Sequence, residues 1–279
     1  MKRFALITLI LACAGFISSC SKQTESAGIE ESVAYEQLSK SLEEYNTEFL
    51  NSTETKSFWS SLCRIVTNDA IGALLGSSAF GPGGGLFGAV AASTARFVTE
   101  IIETHLDSGN AEELNSFFNR DTCLYDDLSL NEADSIGIYH NQIIVAMLDE
   151  RPDIASMSET EINDLIICKM SEAGQGLLST AVADYKFYSA LNDDENSEAL
   201  FNRIAKRYPS INRELQIVKK YADTIANIEE DEIPSYTDGY RAIVNDSDIS
   251  EDSKDLVIST ISVAGSSKLL WEEDSLPAR

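Results

Sequence analysis

Three glycines of this 279-residue chain have the spacing of a phosphate-binding turn. Gly83, Gly85 and Gly88 fit GxGxxG, in which backbone N–H groups at a helix N-terminus hold a pyrophosphate. A dinucleotide site also requires a buried strand directly before the glycines. Residues 71–80 (IGALLGSSAF) are not strand-like, and no lysine follows the glycines as a P-loop requires. We therefore expect neither a nucleotide site nor a nucleotide cofactor.

Histidines and cysteines are the next candidates for catalysis or metal binding. Neither His105 nor His140 lies in an HExxH motif. Cys63, Cys123 and Cys168 form no CxxC pair, although Cys123 or Cys168 could formally join a histidine as a nucleophile. Three cysteines allow at most one disulfide, and three buried thiols are the alternative. We expect no metal site, no cofactor and no enzymatic activity.

The acidic residues suggest calcium binding only superficially. Oxygen-bearing side chains alternate along residues 246–252, as in a calcium loop. However, Glu251 occupies the position where an EF-hand needs glycine, and Val257 the position of its bidentate glutamate. These carboxylates are therefore expected to lie in water on helix ends and loops.

The charge balance excludes one class of partner. With 46 acidic and 21 basic residues, the chain has a formal net charge of −25. Such a surface repels the phosphate backbone, so nucleic-acid binding is excluded as a function. The hydrophobic content of 43% is that of an ordinary globular protein.

Helical periodicity dominates the sequence. Apolar residues recur every three or four positions from Tyr35 to Phe49, which predicts a helix over residues 30–50. Ser158 with Glu161 forms a capping-box pattern, and Ser210 and Ser235 are further predicted helix caps. The sequence predicts an irregular all-α bundle of about eight helices. The β-branched run 257–263 is also predicted to be helical, because no second strand is available to pair with it.

A glycine- and alanine-rich segment without charges spans residues 70–95. Pro82 and the surrounding glycines at 81–85 should interrupt a helix, so we predict a hairpin of helices Ser57–Phe80 and Leu86–Leu106. Two GxxxG pairs would let the backbones of the arms approach closely. Their members are Gly72 with Gly76 and Gly84 with Gly88. The hairpin could be buried in the core or could insert into a membrane.

The N-terminus has the features of an export signal. Lys2 and Arg3 precede an apolar run over residues 4–17, which is too short to span a bilayer. The run ends in Ile-Ser-Ser-Cys20, which resembles the bacterial lipobox. This resemblance implies cleavage before Cys20, lipidation of that cysteine and a location in the cell envelope. Ser21, which is not an aspartate, favours the outer membrane, on its periplasmic face or at the cell surface.

The predicted organisation has four parts. Residues 1–19 form the signal peptide and residues 20–29 a polar tether. Residues 30–125 form an N-terminal helical region with the hairpin, and residues 126–279 a C-terminal helical bundle.

A second, weaker resemblance concerns surface modification. Ser135, Thr224 and Ser275 each follow an aspartate and precede an aliphatic residue. This pattern resembles the O-glycosylation sequon of Bacteroidetes, and the helical body is similar in style to helical lipoproteins of that phylum. The similarity implies no activity.

These features predict a membrane-anchored envelope lipoprotein that acts as a non-enzymatic interaction or structural protein. Its expected partners are the membrane, through the lipid, and another protein. The alternative is a membrane-active protein, bacteriocin- or toxin-like, that uses the hairpin of residues 70–95. An envelope enzyme that assembles its site from distant residues is the third class.

Overall fold

The computed structural model describes residues 30–52, 60–98, 132–173, 185–193 and 197–271. Within these ranges the regular structure is helical and there is no strand, which confirms the predicted all-α fold. The α-helices are α1 (30–52), α2 (Ser60–Phe97), α3 (Glu132–Glu150), α4 (Glu159–Glu172), α5 (Tyr185–Ser189), α6 (Ser197–Arg207), α7 (Asn212–Ile225), α8 (Ile233–Asn245) and α9 (Glu251–Leu270). Short 3-10 turns lie at Ile154–Ser156, Ala190–Asp193, Pro209–Ile211 and Glu230–Glu232.

Helix α2 folds back on itself and forms the predicted hairpin. The reversal occurs at Gly81, with φ 70° and ψ −166°, a conformation essentially restricted to glycine. The predicted turn over residues 81–85 is wrong, because the helix resumes directly at Pro82. Proline suits the first helical position, where a backbone donor would have no partner within the helix.

The hairpin, α3 and α9 form the centre of the described part. The main packing surfaces join α9 to α2, α9 to α3 and α2 to α3. Residues 257–265 of α9 are buried on every side, and this confirms a helix where the β-branched run also allowed a strand. Within this run the hydroxyls of Ser259 and Thr260 donate to carbonyls of the same helix, the latter to Leu256 over 2.7 Å.

Helices α1, α7 and α8 pack together beside this centre. Tyr236 of α8 lies among Tyr45 and Phe49 of α1 and Tyr221 of α7, with ring centroids 5.0–5.5 Å apart. Of the apolar residues of α1 predicted to face the core, Tyr35, Leu38 and Leu42 are buried, and Tyr45 and Phe49 are half-buried. Aromatic packing therefore holds α1 against the bundle.

Two of the predicted helix caps are wrong. Ser158 and Glu161 do form a reciprocal capping box at the start of α4. Ser210 lies instead in the 3-10 turn that Pro209 opens before α7, and Ser235 lies inside α8, with Pro234 in its first turn. In both cases a proline lies in the first turn, and the helical turn starts two or three residues earlier than it would with the serine as its cap.

The predicted boundary between residues 125 and 126 lies outside the described residues. The described helices on its two sides share one hydrophobic core, and the most extensive packing joins α2 to α9. Within these ranges, the N-terminal hairpin and the C-terminal helices therefore bury each other's apolar surface.

Candidate functional site

The first candidate site is a buried polar cluster of Asp69, Ser93, His140 and Ser267. The hydroxyls of Ser93 and Ser267 donate to Oδ2 of Asp69 over 3.0 and 2.5 Å. Nε2 of His140 lies 3.6 Å from the same oxygen. All four side chains are fully inaccessible to solvent. Helices α2, α3 and α9 thus place four polar groups in the centre of the core.

The imidazole of His140 has one bonded and one unbonded nitrogen. Its Nδ1 lies 3.0 Å from Oδ1 of Asn141, whose Nδ2 donates to the carbonyl of Ser266 over 2.8 Å. Because Oδ1 only accepts, Nδ1 carries the proton of the neutral ring. Nε2 then presents a lone pair toward Asp69, and neither Nε2 nor Oδ1 of Asp69 has a hydrogen-bond partner in the described part.

Burial shifts both titratable groups of the buried polar cluster toward their neutral forms. It raises the pKa of the Asp69 carboxyl well above its ordinary value, and the two serine bonds offset only part of that rise. Burial also lowers the pKa of the His140 imidazole to about 4, against an opposing effect of the Asn141 bond. The geometry and the desolvation together favour a protonated carboxyl facing a neutral ring.

The buried polar cluster does not have the arrangement of a hydrolytic triad. Ser267 donates to Asp69 and not to the imidazole, so no base is placed to activate a serine hydroxyl. With no accessible surface on any of the four groups, a substrate has no approach to them. The cluster is a hydrogen-bonded element of the core.

Lys268 is a buried ammonium group with a structural role. Its side chain is 2% exposed, and its ammonium donates to the carbonyl of Ile225 over 2.6 Å and to that of Ile228. Ile225 ends α7, where helical acceptors lack internal partners and a cation is favourable, and Ile228 lies in the turn that follows. Lys268 therefore caps the end of one helix from another.

Replacing Lys268 by methionine is expected to lower the free energy of unfolding by about 2–3 kcal/mol, because buried carbonyls lose a charged donor. Urea denaturation measures the loss. Lys40→Met, at an exposed ion pair with Glu44, should change stability by less than about 1 kcal/mol. Equal stabilities of the two variants would show that Lys268 is not needed as a cap.

The predicted packing glycines lie where the two arms of α2 cross. A Cβ atom on Gly76 would lie 1.9 Å from the carbonyl oxygen of Gly84, and one on Gly72 would lie 2.3 Å from that of Gly88. Both distances are far inside van der Waals contact. The arms therefore meet backbone to backbone, and a side chain at these positions has no room.

The hairpin tip, residues 77–81, is the main exposed feature of the central helices. Phe80 is 48% exposed, and in the described part only Val33 is another large hydrophobic residue with comparable exposure. Beside Phe80 lies a groove of about 420 Å³, which we call the aromatic groove. Its lining includes Leu75, Phe187, Tyr188 and Tyr208.

A second depression, the polar groove, also borders the hairpin tip and has a volume of about 540 Å³. It is lined by Ser77, Ser78 and Gly81 of the tip and by residues at the starts of α7 and α9. The latter include Ser210, Ser253 and the carboxylates of Asp252 and Asp255. The hairpin tip therefore borders both an aromatic groove and an acidic, hydroxyl-rich one.

Several predicted site residues lie elsewhere or outside the described ranges. Cys20, Ser275, His105 and Cys123 are outside them. Of the other proposed glycosylation positions, Ser135 is 9% exposed and Thr224 is 7% exposed. The Thr224 hydroxyl also donates to the carbonyl of Lys220. Burial leaves no space for a glycan on either residue in the folded protein.

The described thiols are not activated, and the described residues form neither a metal-ligating cluster nor a membrane span. Cys63 is half-buried and Cys168 exposed, and both thiols are free. Burial raises the pKa of Cys63, and a bond to Glu172 raises that of Cys168, so neither is an activated thiolate. No three metal-ligating side chains gather within these ranges, and no helix there is long and apolar enough to cross a bilayer.

Sequence reasoning missed the buried polar cluster. Its members lie in three helices, with up to 198 residues between bonded partners, and no local motif connects them. The one available signal was Asp69 itself, the charge that borders the uncharged run of residues 70–95.

Comparison with protein-family models, with curated proteins and with solved structures finds no match to this chain.

Proposed function

We propose that this chain is a membrane-anchored envelope lipoprotein that acts by contact and not by catalysis. The observation that carries the proposal is the arrangement of its polar groups. The side chains with catalytic chemistry in the described core, Asp69, His140 and Ser267, are closed to solvent, and Ser267 donates its hydroxyl proton to Asp69 and not to the imidazole. What the central helices expose is the hairpin tip with Phe80, a feature suited to binding.

Lipid on Cys20 supplies the anchor in this proposal. The lipobox pattern at residues 17–20 supports it, and the polar residues that follow would connect the lipid to α1. Because several acyl chains hold a protein firmly at a bilayer, no spanning helix is needed. The outer membrane is the proposed location, and a protein partner in the envelope is the proposed target.

The burial of the hairpin arms weighs against the membrane-active alternative. Residues such as Leu74 and Val90 on the two arms are fully inaccessible, and α3 and α9 cover the arms. Insertion of the hairpin would first require α9 to leave the core. It would also carry Asp69, at the base of the first arm, toward the hydrocarbon.

The test of the anchor is metabolic labelling with a radioactive fatty acid during expression of the full chain in a Gram-negative host. Wild type should incorporate label and partition into detergent, whereas Cys20→Ala should lose all label, because the thiol is the acyl acceptor. Cys63→Ala is the matched control and should be labelled like wild type. Label that persists in Cys20→Ala, or none in wild type, would contradict the proposal.

A further inference from the structure

The start of α1 lies at the same end of the bundle as the hairpin tip. The Tyr35 hydroxyl donates to Oε1 of Glu214 over 2.5 Å, and Ser253 donates to the same oxygen over 2.9 Å. Ser253 in turn lines the polar groove opposite Gly81. Near this point Arg213 pairs with Glu31, one residue into α1. The first turns of α1, α7 and α9 therefore surround the hairpin tip.

This arrangement places the attachment point of the proposed lipid tether at the tip end of the bundle. The nine residues between Cys20 and Glu30 span ten Cα–Cα steps and reach at most about 35 Å. Helix α9 has 20 residues and is about 30 Å long, and it runs from the tip end to the far end. The tether therefore lets the tip end touch the membrane surface, while the far end lies about one bundle length away.

The aromatic side of the hairpin tip has the chemistry of a membrane interface. Phe80 is exposed beside Tyr208, and the guanidinium of Arg207 lies over the rings of Phe187 and Tyr208 at 5.9 and 5.6 Å. Lys206 and Arg207 are exposed, and within the described ranges neither forms an ion pair. Aromatic rings beside basic side chains are favoured at the headgroup level, where the cations meet lipid phosphate.

Acidic residues at this end line the polar groove, which shares Ser78 with the aromatic groove. Asp252 and Asp255 line the polar groove and do not line the aromatic groove. In a chain with a formal net charge of −25, Lys206 and Arg207 are adjacent exposed cations that form no ion pair within the described ranges. Their charge complements phosphate and not the rest of the protein surface.

We propose that the aromatic side of the hairpin tip, with Phe80, Tyr208, Lys206 and Arg207, rests on the phospholipid surface of the membrane. The contact is shallow: Phe80 enters the headgroup region while the arms of the hairpin stay in the core. This inference rests on the proposed lipid anchor at Cys20. It adds the orientation of the protein, with the far end of the bundle directed away from the bilayer.

The test uses the full lipidated chain, reconstituted into vesicles of phosphatidylethanolamine and phosphatidylglycerol. Phe80→Trp places a fluorophore at the hairpin tip, where the exposed position has room for it. The emission of this tryptophan is obtained by subtracting the emission of the parent protein from that of the variant. It should fall about twofold or more when the lipids carry bromine on the acyl chains near the headgroup. Ser235→Trp, exposed at the start of α8 at the far end, is the matched control and should not be quenched.

A charge variant tests the role of the basic pair. Lys206→Glu with Arg207→Glu should reduce the quenching of the tryptophan at position 80, whereas Lys40→Glu on α1 should leave it unchanged. Far-UV circular dichroism and the thermal midpoint of each variant exclude unfolding as the cause.

The outcomes separate the two proposals. Quenching of position 80 alone supports the contact, whereas equal quenching of positions 80 and 235, or none at position 80, overturns it. Mass spectrometry of the N-terminal peptide reports the acyl chains independently. Acylated protein with an unquenched tip leaves the anchor standing and refutes the contact, whereas a Cys20 without lipid overturns both.

Discussion

Replacing Gly76 by alanine is expected to destabilise the protein by at least about 3 kcal/mol, a loss at the upper end of overpacking effects. The new Cβ atom would lie 1.9 Å from the carbonyl oxygen of Gly84. Since this neighbour is backbone in a buried helix, it has no rotamer through which to move aside. Gly88→Ala should cost a similar amount, because its Cβ would meet the carbonyl oxygen of Gly72 at 2.2 Å. Urea denaturation followed by circular dichroism measures both losses.

The control for the glycine variants adds a larger side chain to the same arm on its exposed face. Ala79→Leu should change the free energy of unfolding by no more than about 0.5 kcal/mol, as surface substitutions usually do. If Gly76→Ala proved as stable as Ala79→Leu, the arms of α2 would not cross at these glycines, and the packing of the core described above would be wrong.

The stability of the folded protein is expected to fall as the pH rises above about 6.5, because of the buried polar cluster. The folded pair of Asp69 and His140 holds one proton, since burial raises the pKa of the carboxyl and leaves the imidazole neutral. In the unfolded chain the aspartate is ionised above its ordinary pKa of 3.8, and the histidine loses its proton above 6.5. Above that pH the folded state binds more protons than the unfolded state, so raising the pH favours unfolding.

The number of protons that each state binds sets the pH range over which the free energy of unfolding changes, and the slope of that change. Between about pH 4 and 6.5 both states hold one proton, on Asp69 when folded and on His140 when unfolded, so the pair contributes no slope. Above pH 6.5 the loss approaches about 1.4 kcal/mol per pH unit until the folded carboxyl ionises.

Asp69→Asn is expected to reverse this pH dependence. The variant keeps an acceptor for Ser93 and Ser267 but leaves His140 as the only titrating group of the cluster. The pKa of His140 is about 4 when folded and 6.5 when unfolded, so the unfolded state binds the extra proton between these values. The stability of the variant should therefore be flat above pH 6.5 and should decrease as the pH falls toward 4.

Chemical denaturation at a series of pH values from 4 to 8.5 measures these slopes relative to wild type. Asp248→Asn removes one carboxylate at an exposed position and controls for the change in net charge. It should follow the wild-type curve. Parallel curves for wild type and Asp69→Asn above pH 6.5 would show that Asp69 is ionised in the folded protein, as an ion pair with His140 would require.

The stability of this protein and its proposed membrane contact involve separate sets of residues. The buried polar cluster is closed to solvent, and so are the glycines where the α2 arms cross. Substitutions at these positions should therefore change the free energy of unfolding. Phe80, Lys206 and Arg207 are exposed, so their variants should act on binding with little effect on stability. This separation makes each class of prediction testable without interference from the other.

Features that depend only on neighbouring residues could be predicted from the sequence. Three- and four-residue spacing predicted α1 and the all-α class, since periodicity reports which face of a helix is buried. The uncharged run with its GxxxG pairs predicted a close-packed hairpin, because glycine spacing on a helix follows from helix geometry alone. The lipobox prediction is local in the same way, since it depends on residues 17–20.

Which distant side chains come into contact, and which remain exposed, depends on the tertiary packing of the helices. Periodicity shows that a face is buried but not against which helix, so it could not bring Asp69 together with His140 and Ser267. The reversal at the single residue Gly81, in place of a longer turn, depends on how closely the packed arms approach. The position of the start of α1 beside the hairpin tip likewise depends on long-range contacts through Glu214, because local sequence carries no information about the relative positions of separate helices.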